Sequence, residues 1–173
     1  MAGERKEFYS FRNRNVYLAG PEIKAGDKAP AFIVLAQDFT EVGADTLKGK
    51  VTVFASVPSL DTSVCDAETK RFNDEAAKFG DKVNFVTVSC DLPFAQKRWC
   101  GMTNVDKVKI LADHRDHSFG RAYGVFVKET GFLWRAVFVV DKNSIVQYAE
   151  YVPEIGKHPD YDAILATVNK LSV

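Results

Sequence analysis

The sequence predicts an α/β fold: a central mixed sheet with helices packed against it. Three observations carry this. Short apolar, β-branched runs recur at Val51–Val57, Val83–Cys90 and Val108–Ala112, and the first is apolar on both faces, as a strand buried within a parallel sheet must be. Between them lie segments whose apolar residues fall at helical spacing. The 173 residues are 46% hydrophobic and 12% aromatic, enough for one ordinary core; a chain of this size buries roughly 70% of its extended surface and needs no disulfide or metal staple.

The elements follow in order. Alternation around Phe8 to Phe11 and Val16 to Leu18, with Asn13 to Asn15 between, reads as an N-terminal β-hairpin closed by Gly20-Pro21. Ala31 to Ala36 is strand-like, and Val51 to Val57 is the central strand. A helix is predicted from Thr62 to Phe79, where Val64, Phe72, Ala76 and Phe79 fall near helical spacing and Gly80 supplies a stop. Val83 to Cys90 is the next strand. Pro93 opens a short helix ending at Cys100 before Gly101, Val108 to Ala112 is a strand, and Ser118 to Tyr123 a helical turn. Ala136 to Val140 and Ile145 to Tyr151 flank an Asp141–Ser144 turn as an antiparallel pair, and Pro159 starts a last amphipathic helix through Tyr161, Ile164, Leu165, Val168 and Leu171. This order is that of a thioredoxin-like domain with an N-terminal extension. No repeat or linker divides the chain, so residues 1–173 are read as a single domain.

Charge excludes several functions. Lys plus Arg is 23 and Asp plus Glu is 23, so no strongly basic surface for nucleic acid is expected. No tract reaches the roughly 20 apolar residues of a membrane helix. The charged start MAGERKEFYSFRNRN lacks the apolar segment of a secretory signal, so a cytoplasmic location is expected. There, Cys65, Cys90 and Cys100 are too few and odd in number for a structural disulfide framework. Their spacing matches neither C-x-x-C nor a zinc knuckle. His114 and His117 stand three apart in a polar run, where solvated loop histidines are commoner than ligands.

Pro58-Ser59-Leu60-Asp61-Thr62-Ser63-Val64-Cys65 sits where a buried strand turns into a helix, the place where α/β folds build their sites. Cys65 falls in or just after the first helical turn, near unpaired N–H groups and the positive end of the dipole, which favours thiolate over thiol. Thr62 lies one turn away on the same face, within reach of the sulfur or of a bound oxygen. Pro58, lacking an N–H, would wall the pocket. The plain alternative makes Thr62 a cap and Cys65 a small buried hydrophobe. Cys100, at the negative end of its helix, suits a late-acting thiol, or packs beside Trp99; Cys90 ends a strand and reads as packing. Arg135 interrupts the apolar run FLWRAVFVV at a strand start, where a buried guanidinium needs an anionic or strongly polar partner. Phe126, Phe132 and Trp134 lie near it, either rimming a pocket or filling the core.

The segments VPSLDTSVCDAETKRFN, SCDLPFAQKRWC, DHRDHSFGRAYGV and RAVFVVD closely resemble the bacterial thiol peroxidases, the atypical two-cysteine branch of the peroxiredoxins. The likeness runs in register over nearly the whole chain, and two separated motifs at the right distance make it specific. The resemblance implies that Cys65 is the peroxidatic cysteine, Cys100 the resolving cysteine, Thr62 and Pro58 pocket residues and Arg135 the pocket arginine. It further implies reduction of hydrogen peroxide or alkyl hydroperoxides, a Cys65–Cys100 disulfide, thioredoxin as reductant, a homodimer, and no metal or organic cofactor. Ser63 stands where members often carry Pro or Gly, and Cys90 is not a cysteine in all of them. Two rivals remain: a thioredoxin-like redox sensor or chaperone module without turnover, and a protein-disulfide reductase, which the lack of C-x-x-C disfavours.

Overall fold

The computed structural model describes Arg5 and residues 8–173; the other residues of the charged N-terminal stretch lie outside them. The predicted hairpin is present as β1 (Phe8–Phe11) and β2 (Arg14–Ala19). Its turn residues Arg12 and Asn13 have φ of 50° and 61°, the left-handed pair whose twist matches a two-residue hairpin turn. β3 (Ile33–Leu35) and β4 (Glu41–Gly43) pair antiparallel. Strands and helices then alternate: β5 (Val51–Ser56), α1 (Ser63–Phe79), β6 (Val83–Ser89), α2 (Pro93–Thr103), β7 (Lys109–Ala112) and α3 (Ser118–Ala122). β8 (Phe126–Val127), β9 (Phe132–Leu133), β10 (Ala136–Val140), β11 (Val146–Tyr151) and α4 (Tyr161–Leu171) complete the chain.

The main sheet has seven strands in the order β11-β10-β5-β6-β7-β3-β4. Its centre, β5-β6-β7, is parallel, and β10 joins β5 antiparallel with Phe138 opposite Phe54, which makes the sheet mixed and thioredoxin-like. All six residues of β5 are buried because both faces are covered. Val53, Phe85 and Val137 meet Phe72 and Ala76 of α1 and Ile164 and Val168 of α4 on one face. Phe54, Val86 and Phe138 meet Phe119 of α3 and Leu18 and Phe126 of a second, four-stranded sheet on the other. That sheet, β1-β2-β8-β9, closes where Gly124, at φ 62°, passes so near Pro21 that any Cβ would strike its carbonyl.

Three expectations change. The second helix does not stop at Cys100 but runs to Thr103, because Asn104, at φ 57°, provides the left-handed C-cap that Gly101 was expected to supply. Phe126, Phe132 and Trp134 do not rim a pocket at Cys65. Phe126 and Trp134 are buried in the core on the other face, with Phe132 packed against it, and the Trp134 indole N–H donates to the Val152 carbonyl at 2.8 Å. The strands β4, β8 and β9 have no counterpart in the sequence reading. No described helix is long and apolar enough to cross a membrane.

Candidate active site

The loop from β5 to α1 is held by a carboxylate from the connection between β6 and α2. Asp91 accepts from the Ser59 hydroxyl at 2.8 Å, the Leu60 N–H at 2.9 Å and the Ser89 hydroxyl at 2.8 Å, tying this loop to the end of β6. Pro58 lies half-buried at its start. Thr62 is the N-cap of α1, yet its side chain accepts no capping hydrogen bond. Its Oγ1 lies instead 2.6 Å from Cys65 Sγ and 3.0 Å from the Ser59 carbonyl. A hydroxyl has one proton. When the sulfur carries its own, S–H donates to Oγ1 and the hydroxyl donates to Ser59; when the sulfur is a thiolate, the hydroxyl donates to it.

Cys65, third residue of α1, is 0% exposed. From the opposite side Arg135, just ahead of β10, donates to Sγ through Nη2 at 3.2 Å. The same guanidinium donates through Nη1 to Glu68 Oε2 at 2.5 Å and through Nε to the Ile155 carbonyl at 2.9 Å. Arg135 is therefore fixed by three acceptors. Burial works against its charge, and Glu68 and Cys65 more than offset that.

Glu68 is the residue that sequence reasoning missed. It lies one turn beyond Cys65, at the i+3 spacing that also links Thr62 to Cys65, and that repeat was the available signal. Burial pushes its carboxyl up to about 7, with Arg135 pulling the other way and Glu150 adding to the rise. Its second oxygen, Oε1, is buried without a hydrogen-bond partner among the described residues. Sulfur, guanidinium and carboxyl thus form one buried row in which the arginine serves two acceptors.

Cys100 does not face this row. On α2 it receives a hydrogen bond from Gln37 Nε2 at 3.2 Å and lines a cavity of about 590 Å³ with Val105 and Ile110. Burial pushes its thiol up, and the Gln37 contact opposes this. The preceding residue, Trp99, faces α1, where its indole N–H donates to Asp66 Oδ1 at 3.1 Å. Both cysteines are free thiols. A groove of about 360 Å³ runs between the helices, lined by Leu60, Thr62, Asp66, Trp99 and Met102. Thr62, whose hydroxyl contacts the sulfur, is exposed at it. Cys90 sits apart, 3.5 Å from His117 Nδ1, and burial, followed by the charges of Asp113 and Asp91, pushes its thiol up to about 12. No three His, Cys, Asp or Glu among the described residues converge as metal ligands.

A thioredoxin-like sheet that presents a buried cysteine at a helix start, held between a hydroxyl and an arginine, defines the peroxiredoxin class of thiol proteins. The chain belongs to the Redoxin family, whose sequence model matches residues 24–165, and within it stands with the thiol peroxidases. It is 55% identical over 153 residues to the thiol peroxidase of Bacillus subtilis, covering 88% of this chain and 91% of that protein. It is 50% identical over 161 residues to that of Oceanobacillus iheyensis, covering 93% and 98%. Among solved structures, a peroxiredoxin-like protein from Aquifex aeolicus superposes with a TM-score of 0.87 at 40% identity, covering 97% of this chain and 98% of that one.

Proposed function

We propose that the chain is a peroxidase that reduces hydrogen peroxide and alkyl hydroperoxides to water or alcohol, with Cys65 as nucleophile. The observation that carries this reading is the pair of donors, Thr62 Oγ1 and Arg135 Nη2, converging on one buried sulfur. The Cys65 thiolate attacks the nearer peroxide oxygen, the O–O bond breaks, and the leaving oxygen takes a proton to depart as water or alcohol. Arg135 and Thr62 stabilise the charge that moves onto that oxygen. Pro58 walls the pocket at the loop start.

Cys65 is left as a sulfenic acid. The Cys100 thiol attacks its sulfur, hydroxide leaves with the thiol proton as water, and an intrachain Cys65–Cys100 disulfide forms. Thioredoxin's dithiol returns two electrons and two protons to regenerate both thiols. No metal or organic cofactor takes part. The chain works as one domain, 1–173, in the cytoplasm and as a homodimer, in line with its family.

The test is turnover. Given peroxide, thioredoxin, its reductase and NADPH, the chain should consume NADPH over many cycles, and Cys65→Ser should abolish consumption. Oxidation that stops after one equivalent would identify a sensor instead, and near-normal turnover by the serine variant would remove Cys65 from the chemistry.

A further inference from the structure

At the end of the main sheet opposite Cys65, where β5 begins and β10 ends, the structure holds a cavity of about 740 Å³, a size that suits a small organic ligand. Its inner wall is apolar: Leu47, Phe54 and Val140 line it and are no more than 6% exposed. Its rim is basic, with Lys28, Lys48, Lys50 and Lys142 against Asp45 and Asp141. Lys48 is paired with Asp45. The Asp141 carboxylate is committed to the β10–β11 turn, accepting from the Asn143 and Ile145 N–H groups and from Gln147. Among the described residues, Lys28, Lys50 and Lys142 have no ion pair.

Tyr123 completes the lining from below. Its carbonyl, at the far end of the residue, accepts from Tyr151 Oη at 2.7 Å. Its ring stacks on Phe119 and packs against Phe54 and Phe138, and the residue reaches the cavity between those strands. It is 0% exposed, and its Oη has no hydrogen-bond partner among the described residues. Burial holds the phenol protonated, so it is a donor. A hydroxyl buried without an acceptor is a cost that phenylalanine in the same stack would not carry.

We propose that this cavity binds a ring-hydroxylated aromatic carboxylate. The flat ring lies against Phe54 and Leu47, the carboxylate meets Lys28, Lys50 and Lys142 at the rim, and the ring oxygen at the inner end accepts the Tyr123 proton. Free cations at one end, an unused donor at the other and an apolar wall between them specify those three parts. The site is independent of the thiol chemistry.

The test titrates the reduced, ¹⁵N-labelled full chain by NMR with 6-hydroxy-2-naphthoate, 2-naphthoate and inorganic phosphate. Saturable shifts at Thr52, Phe54, Tyr123 and Val140 are expected with both naphthoates, the hydroxylated one binding several-fold tighter. Tyr123→Phe should abolish that preference while holding or raising the thermal midpoint and leaving peroxide turnover unchanged. Lys50→Gln with Lys142→Gln should weaken both naphthoates several-fold. No saturable shift, the same shifts with phosphate alone, or an undiminished preference in Tyr123→Phe would overturn the proposal.

Discussion

Thr62 shows how a residue suited to one task has been turned to another. Threonine at an N-cap usually accepts from a backbone N–H of the first turn, but here the hydroxyl faces Sγ of Cys65 and the Ser59 carbonyl. Thr62→Val therefore loses no capping bond, and stability should change by less than about 1 kcal/mol. The second-order rate with hydrogen peroxide should fall by roughly tenfold to a hundredfold, as when an aligned donor is removed from a reacting site. Denaturant unfolding and stopped-flow fluorescence check the two halves, and an unchanged rate would take Thr62 out of the site. Glu68 gives a second residue-scale prediction. Burial pushes its folded-state carboxyl up from the ordinary 4.5 to about 7, so the folded chain keeps this proton longer than the unfolded chain does. Stability from this group is then fully present below about 4.5 and is lost as pH rises towards 7. Glu68→Gln should remove that decline from the unfolding free energy measured across pH 4.5–8; an identical pH dependence in the variant would show that Glu68 is not the group responsible. Thr62, Cys65 and Arg135 were legible because an isolated polar residue in an apolar or cap setting needs a reason. Arg135 could be seen to require an anionic or polar partner, but Glu68 could not be matched to it, because the contact joins residues 67 positions apart in sequence.

Among the elements, α1 was readable at both ends, since Thr62 and Gly80 are ordinary helix boundaries, and Gly80 indeed takes φ 56°. The end of α2 was not. Gly101 stays helical and Asn104 takes the left-handed cap, while the Thr103 hydroxyl donates to the Trp99 carbonyl at 2.8 Å within the last turn. β8 and β9, two residues each, are too short to show any period; they pair with each other, and β8 pairs with the edge of β2. The extension of α2 matters for chemistry. It places Cys100 inside the last turn, facing Gln37, while Trp99 latches the helix to Asp66 of α1. A disulfide needs its Cα atoms about 4.4–6.8 Å apart, and an eleven-residue helix held mainly by packing opens at less than the global unfolding cost. Trp99→Phe removes the indole N–H but keeps an aromatic ring, so amide hydrogen exchange in residues 92–103 of the reduced chain should rise several-fold while α4 is unchanged. Unaltered exchange in α2 would show that the Asp66 bond does not hold it.

At the scale of the molecule, the order of strands and helices was legible because buried runs near 50, 85 and 110 and the helices between them dictate right-handed parallel crossovers. What could not be read was the division of labour between the two faces. α1, with Cys65 and Glu68, and Trp99 of α2 pack with α4 on one face, while the second sheet and a dense aromatic core around Tyr123 fill the other. The Cys65 site thus rests on the sheet, and α1 and α2 meet through the Trp99–Asp66 bond with a groove beside it. That arrangement permits local opening without loss of the core. It also isolates Cys90, which lies beyond β6 beside His117 with its thiol held protonated. In the proposed cycle Cys65 is oxidised first and Cys100 resolves it. Reduced protein should be treated with one equivalent of hydrogen peroxide, alkylated, digested without reductant and mapped by peptide mass spectrometry. One dominant disulfide, Cys65 to Cys100, is expected, with Cys90 recovered as an alkylated thiol; a bond that uses Cys90, or a linkage only between chains, would rule this cycle out.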